Sequence, residues 1–352
     1  MEEVKKWWLL LGVLLLVAGL AVNCYAAEYV IKYAHGDPPD PIKGPAHGDA
    51  LIFKYYAEER SGGRIEVEIY PSSELGSERE MLEGVQLGSI EMCNVSEGSV
   101  AGFFPEIMCL AVPYMFRSEH IAWEVLDGPV VAELMEEMRN QSGVRCLKVS
   151  ENGFRNFTNT VRPIKKPEDM AGLKFRTMEH PAHMKMVESM GASPTPIAWG
   201  ELYTALQMGV VDGQENPVCL IEVMKFYEVQ KYLTMDGHIY SIDFTFINDD
   251  FFQSLPKDLQ QIVLDAAILA GLVHRGMQIW TSATGVDRLR EQGMEVYFPT
   301  VEELEAFRAQ AGPPVEAWIR GQIGDAWVDK VIAEVERAEE KYQVGSGKWP
   351  MW

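Results

Sequence analysis

Residues 172–217 read GLKFRTMEHPAHMKMVESMGASPTPIAWGELYTALQMGVVDGQENP. The segment opens with a short alternating strand pattern that ends near Arg176. A helical pattern stops at Gly209, a second strand pattern follows, and the chain turns at Asn216-Pro217. Arg176 therefore lies near the carboxyl end of its strand, where the ligands of open α/β sheets bind.

The same alternation of strands and helices runs through the rest of the chain. Strand patterns occupy Glu28 to Ala34, Arg64 to Tyr70, Ile90 to Val95, Asn152 to Thr160, Gln230 to Leu233 and His238 to Ile247. Helical patterns occupy Ala50 to Arg60, Ser77 to Leu87, His180 to Met190, Trp199 to Met208, Leu259 to Trp280 and on towards Gln292, Val301 to Ala309, and Val315 to Tyr342. These patterns predict an α/β fold with mixed sheets, flanking helices and two crossings between two lobes, the Venus flytrap shape.

The N-terminus has the layout of a secretory signal peptide. Two lysines precede an apolar run from Trp7 to Val22, and small residues at Ala26 and Ala27 offer a cleavage site. The run is short for a membrane span, so an uncleaved anchor is the less favoured alternative. Asn23 argues against a lipoprotein signal. No later segment reads as apolar enough to span a bilayer, so we expect a soluble mature chain.

Size and charge narrow the function. Removal of residues 1–27 would leave 325 of 352 residues, more than one small core usually takes, which favours two lobes. The formal net charge of -21 makes nucleic acid a poor partner, because phosphate binding needs a basic face. No cysteine lies in a C-x-x-C pair, and no phosphate-binding or dinucleotide motif appears, so we expect neither a metal nor a cofactor.

The predicted organisation assigns each part of the chain to a role. Residues 1–27 form the signal peptide. Residues 28–150 with about 238–280 form the first lobe. Residues 151–237 with about 281–342 form the second lobe, and residues 343–352 form a loose tail.

Two arginines are the first candidates for binding an anionic ligand. The guanidinium of Arg176 is planar, always charged and able to donate two parallel hydrogen bonds to a carboxylate. Its alternative is a surface arginine on an edge strand. Arg155 is a charge inside a half-apolar strand pattern, so it needs a partner, which is either a ligand or a glutamate of its own lobe.

Further candidates lie in loops. Asn216 can both donate and accept hydrogen bonds, but it can also be a turn asparagine that bonds to its own backbone. Trp199 precedes a helix and can pack as a hydrophobic staple. His35, His47 and Glu74 follow strand patterns of the first lobe, where solvated loop residues are the favoured alternative. His180 and His183 have H-x-x-H spacing without a third metal ligand, so we expect them on a helix surface or a pocket rim.

The segments G-L-K-F-R at 172–176 and D-G-Q-E-N at 212–216 resemble those of the solute-binding proteins of tripartite ATP-independent periplasmic (TRAP) transporters, the DctP-like family. The resemblance implies the two-lobed periplasmic-binding-protein fold with a long helix spanning both lobes. It also implies that Arg176 holds the ligand carboxylate and that Asn216 reaches the ligand. An E-x-G-x-R-x-x-x-N segment lines the cleft in the family, and Arg155 and Asn159 match it. The corresponding loop forms one wall of the pocket in the family, so the resemblance implies that Trp199 contributes to that wall.

The function that the resemblance implies is a periplasmic receptor, not an enzyme. Such a receptor traps a small carboxylate between its lobes and delivers it to the membrane permease of a TRAP transporter, and we expect a monomer. An ABC-type binding protein, a sensor ectodomain, and a hydrolase or lyase using Arg176 as a substrate clamp are the alternatives. The sequence does not choose among a sugar acid, a dicarboxylate, a keto or aromatic acid and a sulfonate.

Overall fold

A computed structural model describes residues 27–342. The predicted signal peptide and the predicted loose tail at 343–352 lie outside the described residues, apart from Ala27.

Within residues 27–342, the core is one continuous mixed sheet of nine strands. The strands are β1 (Tyr29–His35), β2 (Ile65–Tyr70), β3 (Met92–Ser96), β4 (Val144–Asn159), β5 (Lys174–Thr177), β6 (Ser193–Pro196), β7 (Gly213–Asn216), β8 (Tyr232–Asn248) and β9 (Glu295–Tyr297). Their order is β2-β1-β3-β8-β4-β7-β5-β6, and β9 pairs with β8. The α/β class and two-lobed architecture that the sequence predicts are confirmed, with one shared sheet instead of separate sheets.

Two long antiparallel strands connect the lobes. Strands β4 and β8 pair along almost their whole length, from Val144 opposite Asn248 to Asn159 opposite Tyr232. On one side, β3, β1 and β2 form the first lobe, with β1 parallel to both neighbours. On the other side, β7, β5 and β6 form the second lobe. The sequence pattern predicts only the second half of β4 and divides β8 in two, because polar residues interrupt the alternation of apolar residues.

Helices cover both faces of the sheet. They are α1 (Pro45–Ser61), α2 (Glu78–Leu87), α3 (Glu97–Val100), α4 (Glu119–Leu126), α5 (Pro129–Ser142), α6 (Pro181–Ser189), α7 (Leu202–Gln207), α8 (Val218–Val223), α9 (Asp249–Ser254), α10 (Lys257–Glu291), α11 (Val301–Ile323) and α12 (Asp325–Lys341). Short 3-10 helices occupy Pro105–Leu110, Pro167–Met170, Trp199–Glu201 and Phe226–Glu228.

The 35-residue helix α10 spans both lobes, as the family resemblance implies. It packs on α1 and β4 at one end and on α8 and β9 at the other. Contrary to the expectation from sequence, α10 is long and apolar enough to cross a membrane by length and composition. Residues such as Val263, Ala266 and Ala270 are nevertheless buried in the protein core, as expected of a core helix.

Local sequence signals account for several element boundaries. Helix α2 begins with a capping box in which the Ser77 hydroxyl accepts from the Glu80 amide and the Glu80 carboxylate accepts from the Ser77 amide. The helix ends at Gly88, whose φ of 74° lies in the left-handed region that favours glycine. The first residues of α2 lie at the cleft between the lobes.

The C-terminal helices differ from the sequence prediction. Helix α11 continues through Pro313 and Pro314 and ends at Gly324, whereas the sequence suggested a break around residues 310–314. Helix α12 packs on α4 and α5. Those two helices fall within residues 28–150, which the sequence assigns to the first lobe. The proposed assignment of residues 281–342 to the second lobe therefore does not follow the packing of α12.

Replacement of Gly213 tests the packing at the start of β7. A Cβ atom at Gly213 would lie 2.2 Å from the Thr158 carbonyl oxygen and 2.7 Å from Cε1 of Phe175. We expect Gly213→Ala to lower the free energy of unfolding by about 1–3 kcal/mol, measured by urea titration, because the surrounding core is already filled.

Gly276→Ala is the matched control. A Cβ at Gly276, on the exposed side of α10, would meet no atom of the described residues within 4 Å. Its helix propensity should make this variant more stable by up to about 1 kcal/mol. Equal stability of Gly213→Ala and wild type would show that Gly213 is not packed as closely against Thr158 and Phe175 as described.

Candidate functional site

A cavity lies between the lobes, beside the strands that cross from one to the other. It encloses about 740 Å³ of space, including its open mouth. Its polar lining comes from both lobes: Asp37, Ser77, Glu78, Arg79, Asn94, Ser96, Ser99, Asn152, Arg155, Arg176, Glu179, Asn216 and Asp243. Apolar contacts come from Met178, Ile197, Trp199 and Leu220. This mixture of apolar walls and converging polar groups is typical of a small-molecule site.

Arg176 is buried in the second-lobe wall of this cavity, with 2 % of its surface exposed. Its Nε donates to the Ile197 carbonyl at 2.9 Å, and its buried Nη1 has no hydrogen-bond partner among the described residues. Burial and the nearby Arg155 charge lower the pKa of Arg176 to about 10, so the guanidinium still carries its charge at neutral pH. A buried cation with an open donor is costly unless an anion binds there.

Arg155 is fully buried and forms an ion pair with Glu215 on the neighbouring strand β7. Its Nε and Nη2 donate to the two Glu215 carboxylate oxygens, and Nη1 donates to Ser241 Oγ at 3.1 Å. Burial alone would lower the pKa of Arg155, but the Glu215 carboxylate raises it. Of the two alternatives for Arg155, the glutamate partner is present. At most one Nη1–H remains to reach a ligand.

Asn216 lies next to this pair and lines the cavity. Its Oδ1 accepts from Arg155 Nη2 at 3.0 Å, and its Nδ2 donates to the Gln214 side chain. Asn216 therefore is not a turn asparagine bonded to its own backbone. The Arg155–Glu215 pair orients its amide at the cavity wall.

The two lobes touch across the cavity at two close approaches. The Trp199 ring of the second lobe packs over Gly36 of the first, where a Cβ would lie 3.0 Å from the ring. Met178 packs on Gly98, where a Cβ would lie 2.7 Å from the Met178 Cβ. At the rim, Lys43 Nζ of the Pro-rich loop lies 3.0 Å from the Glu222 carboxylate of α8. These contacts bring the lobes together over the site.

Four predicted site residues do not line the cavity. His35 is buried behind it, with Nε2 3.1 Å from Nδ1 of His47, although their neighbours Gly36 and Ala46 do line it. Burial lowers the pKa of His35 to about 3. Glu74 is exposed on the loop before α2.

Asn159 is the fourth of these residues. It lies four residues beyond Arg155, about 13 Å further along β4. Its Oδ1 accepts from the backbone amides of Val161 and Arg162, so it stabilises the turn that follows the strand. The family pattern that pairs it with Arg155 does not bring it to the cleft here.

Most residues of the first-lobe wall are not among those that the sequence predicts. Glu78 is the first residue of α2 and lies four positions after Glu74, the loop residue that the sequence predicts at the site. Asn94 and Ser96 come from the end of β3, and Asp243 comes from the middle of β8. The strand-end rule could have identified Asn94 and Ser96, but nothing local distinguishes Asp243 from a solvated residue.

The histidines of α6 are not on a surface or a rim, contrary to the sequence prediction. His180 and His183 are both fully buried, with ring centroids 4.3 Å apart. Their ring nitrogens have no hydrogen-bond partner among the described residues. Burial lowers the pKa of His180 to about 3, so its ring is neutral. Within residues 27–342 no group of three or more potential ligands is placed to hold a metal.

His274 of α10 connects the long helix to the cavity wall. Its Nε2 lies 3.5 Å from Asp243 Oδ2, and its Nδ1 lies 3.8 Å from Asp49 Oδ2. Burial alone would lower the pKa of His274, but the two carboxylates raise it to about 10. His274 is therefore a buried cation that balances Asp243 from behind.

The fold and the site together define a two-lobed receptor that encloses a small anionic ligand. A model of the bacterial extracellular solute-binding protein family 7 matches residues 40–321, so the chain belongs to that family, the solute-binding proteins of TRAP transporters. This family consists of transport binding proteins, which confirms the predicted family and the prediction that the chain is not an enzyme.

Individual relatives carry different ligands. The 2,3-diketo-L-gulonate-binding periplasmic protein of Escherichia coli is 34 % identical over 82 % of this chain and 88 % of its own length. A TRAP solute-binding protein of Polaromonas, solved with D-erythronate, is 35 % identical, with a TM-score of 0.82 over 87 % of this chain and 98 % of its own. One of Sulfurospirillum deleyianum, solved with succinate, is 29 % identical, with a TM-score of 0.81 over 87 % and 98 %.

A bulkier residue at Gly98 should hold the lobes apart. The contact of Gly98 is with the Met178 Cβ, which cannot rotate away, so an added side chain must displace one lobe. We expect Gly98→Val to weaken ligand binding at least about tenfold, measured by calorimetry, because closure would be incomplete.

Gly102→Ala is the control for this variant, since a Cβ there meets nothing nearer than 3.9 Å. Both variants should unfold at temperatures close to that of wild type. Full affinity in a folded Gly98→Val protein would contradict the closed contact.

His274 should make stability depend on pH in the alkaline range. The folded protein keeps the His274 proton up to about pH 10, whereas an unfolded histidine loses it near pH 6.5. The raised pKa stabilises the fold fully below about pH 6.5, and this contribution is lost as the pH rises towards 10. In urea titrations at pH 6.5, 8 and 9.5, His274→Gln should lose less stability with rising pH than wild type.

Other groups titrate in both proteins, so the difference between the two curves isolates His274. Parallel curves for His274→Gln and wild type would show that His274 is neutral in the folded state.

Proposed function

We propose that this chain is the periplasmic receptor of a TRAP transporter and that it binds a small organic acid through its carboxylate at Arg176. The ligand is enclosed between the lobes and then delivered to the membrane permease. The single observation that carries the proposal is the buried Arg176 guanidinium, which faces the cavity with Nη1 unpartnered.

Charge accounting supports a carboxylate at Arg176. The other buried guanidinium of the cavity, Arg155, is neutralised by Glu215, whereas no acidic side chain forms an ion pair with Arg176 among residues 27–342. A ligand carboxylate would supply the missing negative charge and a bidentate acceptor. Because the site excludes much of the solvent, this pairing is worth more than the same contact at a surface.

Arg155 and Asn216 take supporting roles in this proposal. Arg155 keeps at most one donor for the ligand, and it orients the Asn216 amide through the 3.0 Å hydrogen bond. Trp199 covers the site, with its ring 5.9 Å from the Arg176 guanidinium carbon. We therefore assign the primary contact to Arg176, a secondary contact to Arg155 and polar or wall contacts to Asn216 and Trp199.

The proposed cellular role of the chain is inferred from its membership of the family. Export through the signal peptide predicted at residues 1–27, cleavage after Ala26 or Ala27, a monomeric state and docking to a TRAP permease are parts of the proposal. Mass spectrometry of the protein purified from the periplasm would identify the mature N-terminus. Mass spectrometry of the small molecules extracted from the purified protein would identify the bound acid. An intact N-terminus would contradict cleavage.

Substitution of Arg176 tests the anchor directly. Erythronate, galactonate and succinate would be screened by thermal shift, and each binder measured by calorimetry. Arg176→Ala should lose about 2–5 kcal/mol of binding free energy, as for truncating one partner of a buried charge pair. Arg176→Lys should not restore it, because an ammonium lacks the planar pair of donors.

Arg60→Ala, at an exposed arginine of α1, is the matched control and should keep full affinity. If Arg176→Ala binds the acid as tightly as Arg60→Ala does, Arg176 is not the carboxylate anchor.

A further inference from the structure

The two walls of the cavity have opposite chemistry. The second-lobe wall carries the Arg176 guanidinium without an acidic partner among the described residues. The first-lobe wall carries Asn94, Ser96 and the carboxyl of Glu78, and Asp243 of β8 faces the same space. A ligand whose carboxylate lies on Arg176 must place its other end among these groups.

Glu78 is the group on this wall whose charge is not balanced. Its Oε2 accepts from Ser96 Oγ at 2.6 Å, and Oε1 lies 3.4 Å from the Ser96 amide. No lysine, arginine or histidine within the described chain lies within 4.0 Å of its oxygens. Burial, aided by Asp243, raises the pKa of Glu78 to about 7, so further negative charge beside it is unfavourable.

Arg176 across the cavity lowers the pKa of Glu78, but this effect is smaller than that of burial, and the other neighbouring charges are already shared. His274 balances Asp243 from behind the wall. Among the described residues, Arg79 is the one cation of the first-lobe lining, and 59 % of its side chain is exposed. Its Nε is 3.1 Å from Glu83, and its Nη1 is 3.9 Å from Glu179, so two carboxylates already share its charge.

We propose that the receptor selects monocarboxylates that carry hydroxyl groups and rejects dicarboxylates, and that Glu78 is the residue that sets this preference. The inference rests on the proposed function, in which Arg176 binds the carboxylate. A hydroxyl donates a hydrogen bond to the Glu78 carboxylate and adds no charge. A second ligand carboxylate meets Glu78 and Asp243 instead, and like charges in a desolvated site repel strongly.

Pairs of acids that differ only at the distal end test the preference. Galactonate and galactarate both carry hydroxyls, but galactarate ends in a second carboxylate. Erythronate and meso-tartrate are the corresponding four-carbon pair, because meso-tartrate keeps both inner hydroxyls and ends in a second carboxylate. In calorimetry at pH 8, we expect the better bound of galactonate and erythronate to bind at least about tenfold more tightly than its dicarboxylate counterpart.

A matched pair of variants tests the role of Glu78. Glu78→Gln removes the charge at nearly constant shape, whereas Glu74→Gln makes the same change at an exposed position outside the lining. Glu78→Gln should reduce the monocarboxylate preference at least about fivefold, chiefly through tighter dicarboxylate binding. Glu74→Gln should leave the preference within about twofold of wild type, because its charge is screened by solvent.

Several outcomes would overturn the inference. Dicarboxylates that bind as tightly as their hydroxy monocarboxylate partners would do so, as would absence of binding by both hydroxy monocarboxylates. Equal effects of Glu78→Gln and Glu74→Gln would remove the role of Glu78. Tighter binding of 4-aminobutyrate than of erythronate would show that the acidic wall takes an ammonium instead of a hydroxyl.

Failure of the proposed function looks different. If the affinity for the acid does not depend on Arg176, the assignment of Arg176 as the carboxylate anchor is wrong. If binding depends on Arg176 but dicarboxylates bind equally well, only the selectivity of the first-lobe wall is wrong.

Discussion

The buried ion pair between Arg155 and Glu215 is the interaction on which the arrangement of the site depends. It joins β4 to β7 inside the protein, where an unpaired charge on either side would be costly. The pair orients Asn216 and extends to Ser241 and then to Glu97 through further hydrogen bonds. His238 also contacts Glu215, with Nε2 3.1 Å from the carboxylate. Because Glu215 neutralises Arg155, Arg176 is the buried arginine of the described cavity lining that has no acidic side chain at ion-pair distance.

Arg155 is neutralised within the protein, whereas Arg176 is left to bind an anion. This difference explains how a strongly acidic chain can bind an acid. A net charge of -21 does not favour an anionic ligand at long range. The exposed charges responsible are screened by salt over about 8–10 Å, whereas a desolvated guanidinium acts at contact distance. The global charge therefore bears on solubility and on encounters with other macromolecules, and the local charge decides what is retained in the cleft.

Sequence reasoning was strongest where one residue type suits one task. Arg176 at a strand end and the helix stop at Gly209 each have a local cause, and the structure has them where the pattern predicts. Asn159 and Glu74 were misplaced because a local pattern does not show which residues meet across the cleft. Asp243, His180 and His183 depend on packing between distant elements, so no spacing rule could place them. The Pro313-Pro314 pair shows that packing can carry a helix through residues that usually end it.

The pairing of β4 with β8 affects how the angle between the lobes can change during evolution. Its register shifts three times, between Cys146 and Lys148, Glu151 and Gly153, and Arg155 and Phe157. Such bulges bend and twist a strand pair while the remaining hydrogen bonds persist. The three bulges are thus spread along the two strands that connect the lobes, and two of them flank residues that line the cavity. A change of one residue at a bulge could alter the resting angle between the lobes while every ligand contact stays chemically the same, so that affinity and selectivity are free to diverge independently.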